Sequence, residues 1–294
     1  QTDPMLSLEI EHSLESISVT AAHPFYAIQG DSFEEIEKGQ AQWVEAGELK
    51  TGDYIAQVIP SEVVPVPEFD EQNAYLYGIV LGNAHLSQDG NTWSLSGDSQ
   101  NNSHVNFVRS YLEQRGIHYS ETPSEDSYIV LHWSAEKKAL RNATTGSSLC
   151  TAEPSFPFEK EDLYNEQKAR RIAPRFCHLP RAQTLAMIQG LLETDETISL
   201  GGEIIFTNSS KPLTEGIRYQ MLRLGVPTSG KLREDETYEL RIPAVQEIAE
   251  KIDCTPLTKP TWIRRDDRYV FTRINQTKAI DVVPFVYDLE VDGD

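Results

Sequence analysis

Along the first 66 residues, apolar positions recur every second residue in short runs. Leu6, Leu8 and Ile10 alternate with polar neighbours, Ile17 and Val19 repeat the pattern, and Phe25-Tyr26-Ala27-Ile28 resumes it after a break. This is the period of half-buried β-strands. Gln29-Gly30-Asp31 reads as a turn. From Gln42 to Ala56, Trp43, Val44 and Leu49 are candidates for burial, Gly52 permits a tight turn, and Tyr54-Ile55 opens another strand. Short strands at this spacing predict an all-β unit.

After Pro60 the pattern changes. Pro60, Pro65 and Pro67 among acidic residues read as a connection, and Asp70 can cap a helix beginning near Glu71. The stretch from Asn73 to Ser87 is apolar and helical, with Gly78 and Gly82 on one face where a second helix can approach closely. A similar stretch, Thr184 to Ile198, follows about a hundred residues later. Each is followed by the same succession: strands near 93–95 and 203–206, then helices over 103–115 and 212–224. Strand pairs then fall around 117–119 with 128–131, and around 229–232 with 238–242. An αββαββα unit repeated once predicts a pseudo-two-fold α/β arrangement with the two apolar helices at its centre. The mixed charge from Trp262 to Arg273 reads as a linker back to the first unit, and Ile280 to Asp294 as two strands. The expected division is 1–66 and 262–294 for the β unit, with 67–261 inserted between them.

The chain's 294 residues, 39% of them hydrophobic, leave room for more than one core. No apolar run reaches the ~20 residues of a membrane span, so no membrane partner is expected. Cys150, Cys177 and Cys254 are odd in number and far apart, matching neither a disulfide framework nor a C-x-x-C site. A reducing, intracellular setting is expected. The formal charge of −20 opposes avid non-specific binding of nucleic acid, because phosphates attract Lys and Arg.

The stretch Ser18-Val19-Thr20-Ala21-Ala22-His23-Pro24-Phe25 concentrates chemistry. A β-branched run feeds a turn, and a histidine is held by the rigid Pro24. The Thr20 hydroxyl can donate to an oxygen while the His23 imidazole polarises or protonates an amide nitrogen. Alone, these residues read more readily as a strand with a satisfied core histidine. Together with Trp43-Val44-x-Ala46-x-x-Leu49-Lys50-x-Gly52-Asp53-x-Ile55, they resemble the horseshoe-like Hint fold of inteins and hedgehog-type autoprocessing domains. Val286-Tyr287-Asp288-Leu289-x-Val291 is similar to the intein block near the downstream junction. The resemblance implies protein splicing, with Thr20 and His23 activating the upstream peptide bond and Asp288 assisting later steps, and no cofactor. Intein chemistry starts from Cys or Ser, where this chain has Gln1, and the terminal His-Asn is not found before Asp294. A split intein, a trimmed form and part of a longer polypeptide all remain open. The implied partners are a complementary intein fragment or a flanking host protein.

The repeated middle segment resembles the LAGLIDADG homing endonucleases that occur inserted within inteins. In that family a carboxylate at the end of each central helix holds divalent metal, so the resemblance implies double-stranded DNA as a partner and Mg²⁺ for any cleavage. Asp195 stands at the matching position of the second helix, but Asn83 takes that place in the first, and its amide lacks the carboxylate's charge. Arg170-Arg171-Ile172-Ala173-Pro174 resembles the block that often contributes a catalytic lysine, with arginine in its place. Asn91, Thr92, Ser94, Ser96 and Asp98 of the first repeat include no Lys or Arg, and Glu121, Glu125 and Asp126 add negative charge. The second repeat keeps Lys231, Arg233 and Arg241 for contact with DNA. The expectation is a splicing element with a degenerate endonuclease, the alternative being an active site-specific double-strand endonuclease.

Overall fold

The computed structural model describes residues 4–87, 92–98, 103–123, 128–134, 156–194 and 198–281. Strands β1 (Met5–Ile10), β2 (Ile17–Thr20), β3 (Pro24–Ile28) and β5 (Tyr54–Val58) form where the alternation predicts, and β4 (Gln42–Glu45) adds a strand where only burial was expected. A short helix not anticipated from the pattern, α1 (Phe33–Lys38), lies between β3 and β4. The Ser32 side chain caps it by accepting from the Glu35 amide, and Ile36 is its buried residue.

The first repeat runs α2 (Glu71–Asn83), β6 (His85–Leu86), β7 (Thr92–Asp98), α3 (Ser103–Gln114), β8 (Tyr119–Pro123) and β9 (Tyr128–Ser134). The second runs α4 (Arg181–Thr194), β10 (Ile198–Leu200), β11 (Glu203–Asn208), α5 (Lys211–Arg223), β12 (Ser229–Leu232), β13 (Tyr238–Pro243) and α6 (Gln246–Ile252). The closing helix expected for the first repeat falls outside the described residues. Both central helices end sooner than expected. His85-Leu86 leaves α2 to pair with Trp93 and Ser94, and Ile198–Leu200 pairs with β11. The two sheets repeat one order, β6-β7-β9-β8 and β10-β11-β13-β12.

The helices α2 and α4 meet at their glycines. A Cβ built on Gly78 would lie 2.0 Å from Met187 O, one on Gly190 2.2 Å from Tyr75 O, and one on Gly82 2.1 Å from Thr194 Oγ1. At Gly78 and Gly190 any larger residue would drive one backbone into the other, and at Gly82 it would strike the Thr194 hydroxyl. Contacts advance together along both helices, from Gly78 against Met187 to Gly82 against Thr194. The helices therefore run parallel, with their C-terminal ends side by side. Their outward sides pack on the inner sheet faces, where Leu95, Leu131, Phe206, Leu240 and Ile242 are buried in one continuous core.

Residues 262–273 are not a linker. They hold β14 (Ile263–Arg265) and the start of β15 (Tyr269–Ile280), joined by a turn with Asp266 and Asp267 in the left-handed region at φ 53° and 54°. Val270 and Phe271 are buried, and this apolar strand character outweighs the mixed charge around it. Strand β15 pairs with β5 through residues 269–273 and with β1 through its far half. The resulting sheet has the order β2-β1-β15-β5-β3-β4, with β14 beside β15. Trp43 is a second correction: it is 70% exposed, whereas Val44 and Leu49 are buried. Edge strand β4 turns Val44 toward the core, so its neighbour Trp43 faces outward beside Tyr26.

This sheet docks on the second repeat through the loop after β1. His12 sits there at φ 62°, its Nε2 2.9 Å from Thr261 Oγ1 and its ring edge-on to Trp262. Leu14 reaches the open side of Gly230, where a Cβ would meet its Cδ2 at 2.6 Å. Cys177 and Cys254 are free thiols. Among the described residues, no helix is long and apolar enough to cross a membrane.

Candidate functional site

The paired ends of α2 and α4 are where the LAGLIDADG resemblance implies metal chemistry. Asn83 is half-buried, and its Nδ2 donates to Ser96 O at 3.3 Å, tying the helix end to β7. The carbonyls of this last turn are also occupied. Arg170 Nη1 donates to Leu81 O at 2.9 Å and Gly82 O at 2.8 Å, and Nη2 donates to Ala84 O at 2.6 Å. A guanidinium suits a helix C-terminus because it satisfies open carbonyls and opposes the negative end of the dipole. Ser210 Oγ in turn donates to Arg170 O at 2.5 Å. On α4, the Thr194 hydroxyl bonds back to Leu191 O at 3.0 Å. Asp195 lies outside the described residues. Glu193 accepts from Gln189 Nε2 at 2.8 Å and from the Tyr75 hydroxyl, and burial followed by this carboxylate pushes the Tyr75 phenol up.

The first helix end therefore does not fit a divalent metal. It offers a neutral amide used as a donor, and its carbonyls face a cation. Among the described residues, no group of three or more His, Cys, Asp or Glu side chains could hold a metal ion.

The sheet faces turned away from the helices differ in charge. On the second sheet, register places Ser229, Ile205 and Arg241 in one row and Lys231, Glu239 and Thr207 in the next. Arg241 lies 3.5 Å from Glu203 and 3.3 Å from Glu239, and Lys231 lies 3.9 Å from Glu239. The two cations are thus matched by two carboxylates. Arg233 is exposed in the hairpin turn after β12, its amide bonded to Thr237 O at 2.8 Å. On the first sheet, one row crosses His85, Ser94, His132 and Ser120. His132 Nε2 is 2.9 Å from Thr122 Oγ1. Glu121 falls on the opposite, helix-facing side of this sheet, across from Leu131, and pairs with Arg109 at 2.6 Å. Asn91, Glu125 and Asp126 are outside the described residues.

A second cluster forms at one end of the large sheet. His23 N donates to Thr20 O at 3.1 Å, closing a tight turn. Ala46 N donates to His23 O at 2.9 Å and Gly47 N to Ala21 O at 2.8 Å, so the second motif buttresses the first. The His23 ring is exposed and edge-on to Phe25 at 5.1 Å. Thr20 pairs with Met5, which also pairs with Ile280. Three distant stretches thereby meet beside the turn. Asp288 lies outside the described residues.

The family model described as the LAGLIDADG-like domain matches residues 182–250, running from α4 into α6. This stretch is thus a LAGLIDADG-like segment, coincident with the second repeat. No curated protein sequence matches the chain significantly. Among solved structures, mesophilic variants of the homing endonuclease I-DmoI are similar at 15% identity, over 62% of this chain and 94% of theirs, with a TM-score of 0.42. I-DmoI in complex with DNA and Mn is similar at 15% identity, over 64% of this chain and 98% of that one, with a TM-score of 0.41. The N-terminal LAGLIDADG domain of DUF199/WhiA is similar at 11% identity, over 65% of this chain and 84% of that one, also at 0.41. These likenesses are distant.

The clamp made by Arg170 could not be read from the sequence, because it joins residues nearly ninety positions apart. The one available signal was an arginine in a block where the LAGLIDADG resemblance calls for lysine.

Proposed function

We propose that residues 67–261 bind duplex DNA as a LAGLIDADG-type saddle that has lost efficient double-strand cleavage. The observation that carries this is the parallel, glycine-to-glycine packing of α2 and α4, which brings two helix ends together, one of them Asn83 held to Ser96 O. The LAGLIDADG-like match over 182–250 supports the ancestry. Two opposed carboxylates would share a metal and its attacking water, whereas an amide in one position removes half of that charge. Lys231, Arg233 and Arg241 would meet phosphates, but the carboxylates beside Lys231 and Arg241 weaken their pull. The test is selection of bound duplexes from a randomised library, followed by incubation of the selected duplexes with the chain in Mg²⁺. We expect enrichment with the duplexes left intact or nicked. Absence of enrichment would refute DNA binding, and clean double-strand breaks would refute the loss of cleavage and favour the active endonuclease.

A second proposal concerns the β unit, divided between 1–66 and 262–294: protein splicing, with Thr20 and His23 acting on the upstream peptide bond and Asp288 on later steps. It is favoured by the buttressed Thr20–His23 turn lying next to both Met5 and Ile280. The test joins the chain to a nucleophile-bearing segment upstream and a His-Asn-bearing segment downstream and measures ligated product. His23→Ala should abolish the first acyl shift while His118→Ala, at an exposed position, leaves it intact. Equal losses would make His23 structural.

A further inference from the structure

Resting on the DNA-binding proposal, we infer that Arg170 stands in for the divalent ion at the end of α2. It excludes metal from that half of the centre and presents a permanent positive charge to a DNA phosphate there. Arg170 comes from the segment leading into α4, not from either central helix. Three of the five N–H groups of a guanidinium are fixed on Leu81 O, Gly82 O and Ala84 O. Those carbonyls are the oxygens a hard cation would draw on at this helix end, and a guanidinium already in place repels a second, doubly charged ion. Asn83 lies within the same turn, and its amide nitrogen is directed to Ser96 O.

The position is held from both sides. Ser210 Oγ donates to Arg170 O at 2.5 Å and caps α5 by accepting from the Leu213 amide. Arg170 is thus anchored to the second repeat while its side chain closes the helix of the first. Its charge also reaches the outer face of the first sheet. The His85 imidazole, opposite Ser94 in the row described above, is lowered first by partial burial and then by Arg170. A site built for a metal lacks net positive charge until the ion arrives. Here the charge belongs to the protein, so duplex binding should not wait for an ion.

Two experiments on the full chain separate this inference from the DNA-binding proposal. The first titrates Mn²⁺ alone, without DNA, and reads bound ion from the loss of the free-ion EPR signal. Asn83→Asp with Arg170→Gln should gain one bound Mn²⁺ per chain over wild type, while Asn83→Asp alone gains none because the guanidinium remains. A gain by Asn83→Asp equal to that of the double variant would overturn the exclusion of metal. The second uses wild type, so it does not depend on how Arg170→Gln folds. Anisotropy of a labelled random-sequence duplex should give affinities in EDTA and in Ca²⁺ that agree within about two-fold, as expected when ion and duplex binding are uncoupled. Tightening by Ca²⁺ of about ten-fold or more would overturn the inference. No binding in either buffer would refute the saddle as a DNA site and the phosphate contact with it, while the EPR result decides metal exclusion by itself.

Discussion

The glycine crossing makes a demanding prediction for Gly78→Ala. The added methyl would sit 2.0 Å from Met187 O and 2.9 Å from Leu191 N, both backbone atoms that cannot rotate aside. Relief requires α2 and α4 to separate by roughly 1 Å or more, which opens contacts along the whole seam. Overpacking of this kind costs about 1–3 kcal/mol, and a backbone clash this close belongs at the upper end. Alanine's better helix propensity returns about 1 kcal/mol, leaving a net loss of about 2 kcal/mol. Gly216→Ala is the matched control on α5. Its nearest neighbours are Ile172 side-chain atoms at 3.3–3.4 Å, which can yield, so the propensity gain should survive. Urea unfolding followed by circular dichroism should place the two variants about 3 kcal/mol apart. Equal stabilities would refute the close parallel crossing, and with it the juxtaposition of Asn83 and Thr194.

Two further predictions concern single side chains. His104 is buried with Nε2 unpartnered, and burial lowers its pKa to about 4 despite a hydrogen bond with the Ser96 backbone. A neutral histidine of this kind stabilises the fold above pH ~6.5 and loses that contribution as pH falls toward ~4, up to about 3 kcal/mol. Urea midpoints should therefore fall with acid more steeply for wild type than for His104→Gln; parallel pH profiles would contradict this. Trp43→Ser should cost under ~1 kcal/mol because the ring contacts Tyr26 and is otherwise open, whereas Trp133→Ala, at 2% exposure, should cost about 3–5 kcal/mol in the same assay.

Periodicity made the repeat legible because both copies use the same devices. Gly78 and Gly82 mark the seam in the sequence itself, and alternation finds β7, β11 and β13 to within a few residues. Long-range pairing defeated the local pattern elsewhere. The stretch 262–273 looks like a charged linker until β5 and β1 are set on either side of β15. Trp43 looks like core because aromatics usually are, but an edge strand has an outer face. Asn83 was visible as a departure from the LAGLIDADG pattern. Its bond to Ser96 O and the Arg170 clamp were not, since neither has a local signature and both depend on the fold bringing separate segments together.

Duplex binding by the outer faces of the two repeat sheets is tested most directly by charge reversal on the second sheet. Lys231→Glu with Arg241→Glu removes the two cations that face away from the helices on β12 and β13, while Lys38→Glu, on exposed α1, changes charge elsewhere. Anisotropy of a labelled duplex, measured across a salt series, should show the double variant binding at least about ten-fold more weakly with a shallower salt slope. Lys38→Glu should match wild type. Unchanged affinity and slope in the Lys231/Arg241 variant would mean that the sheets do not carry the DNA.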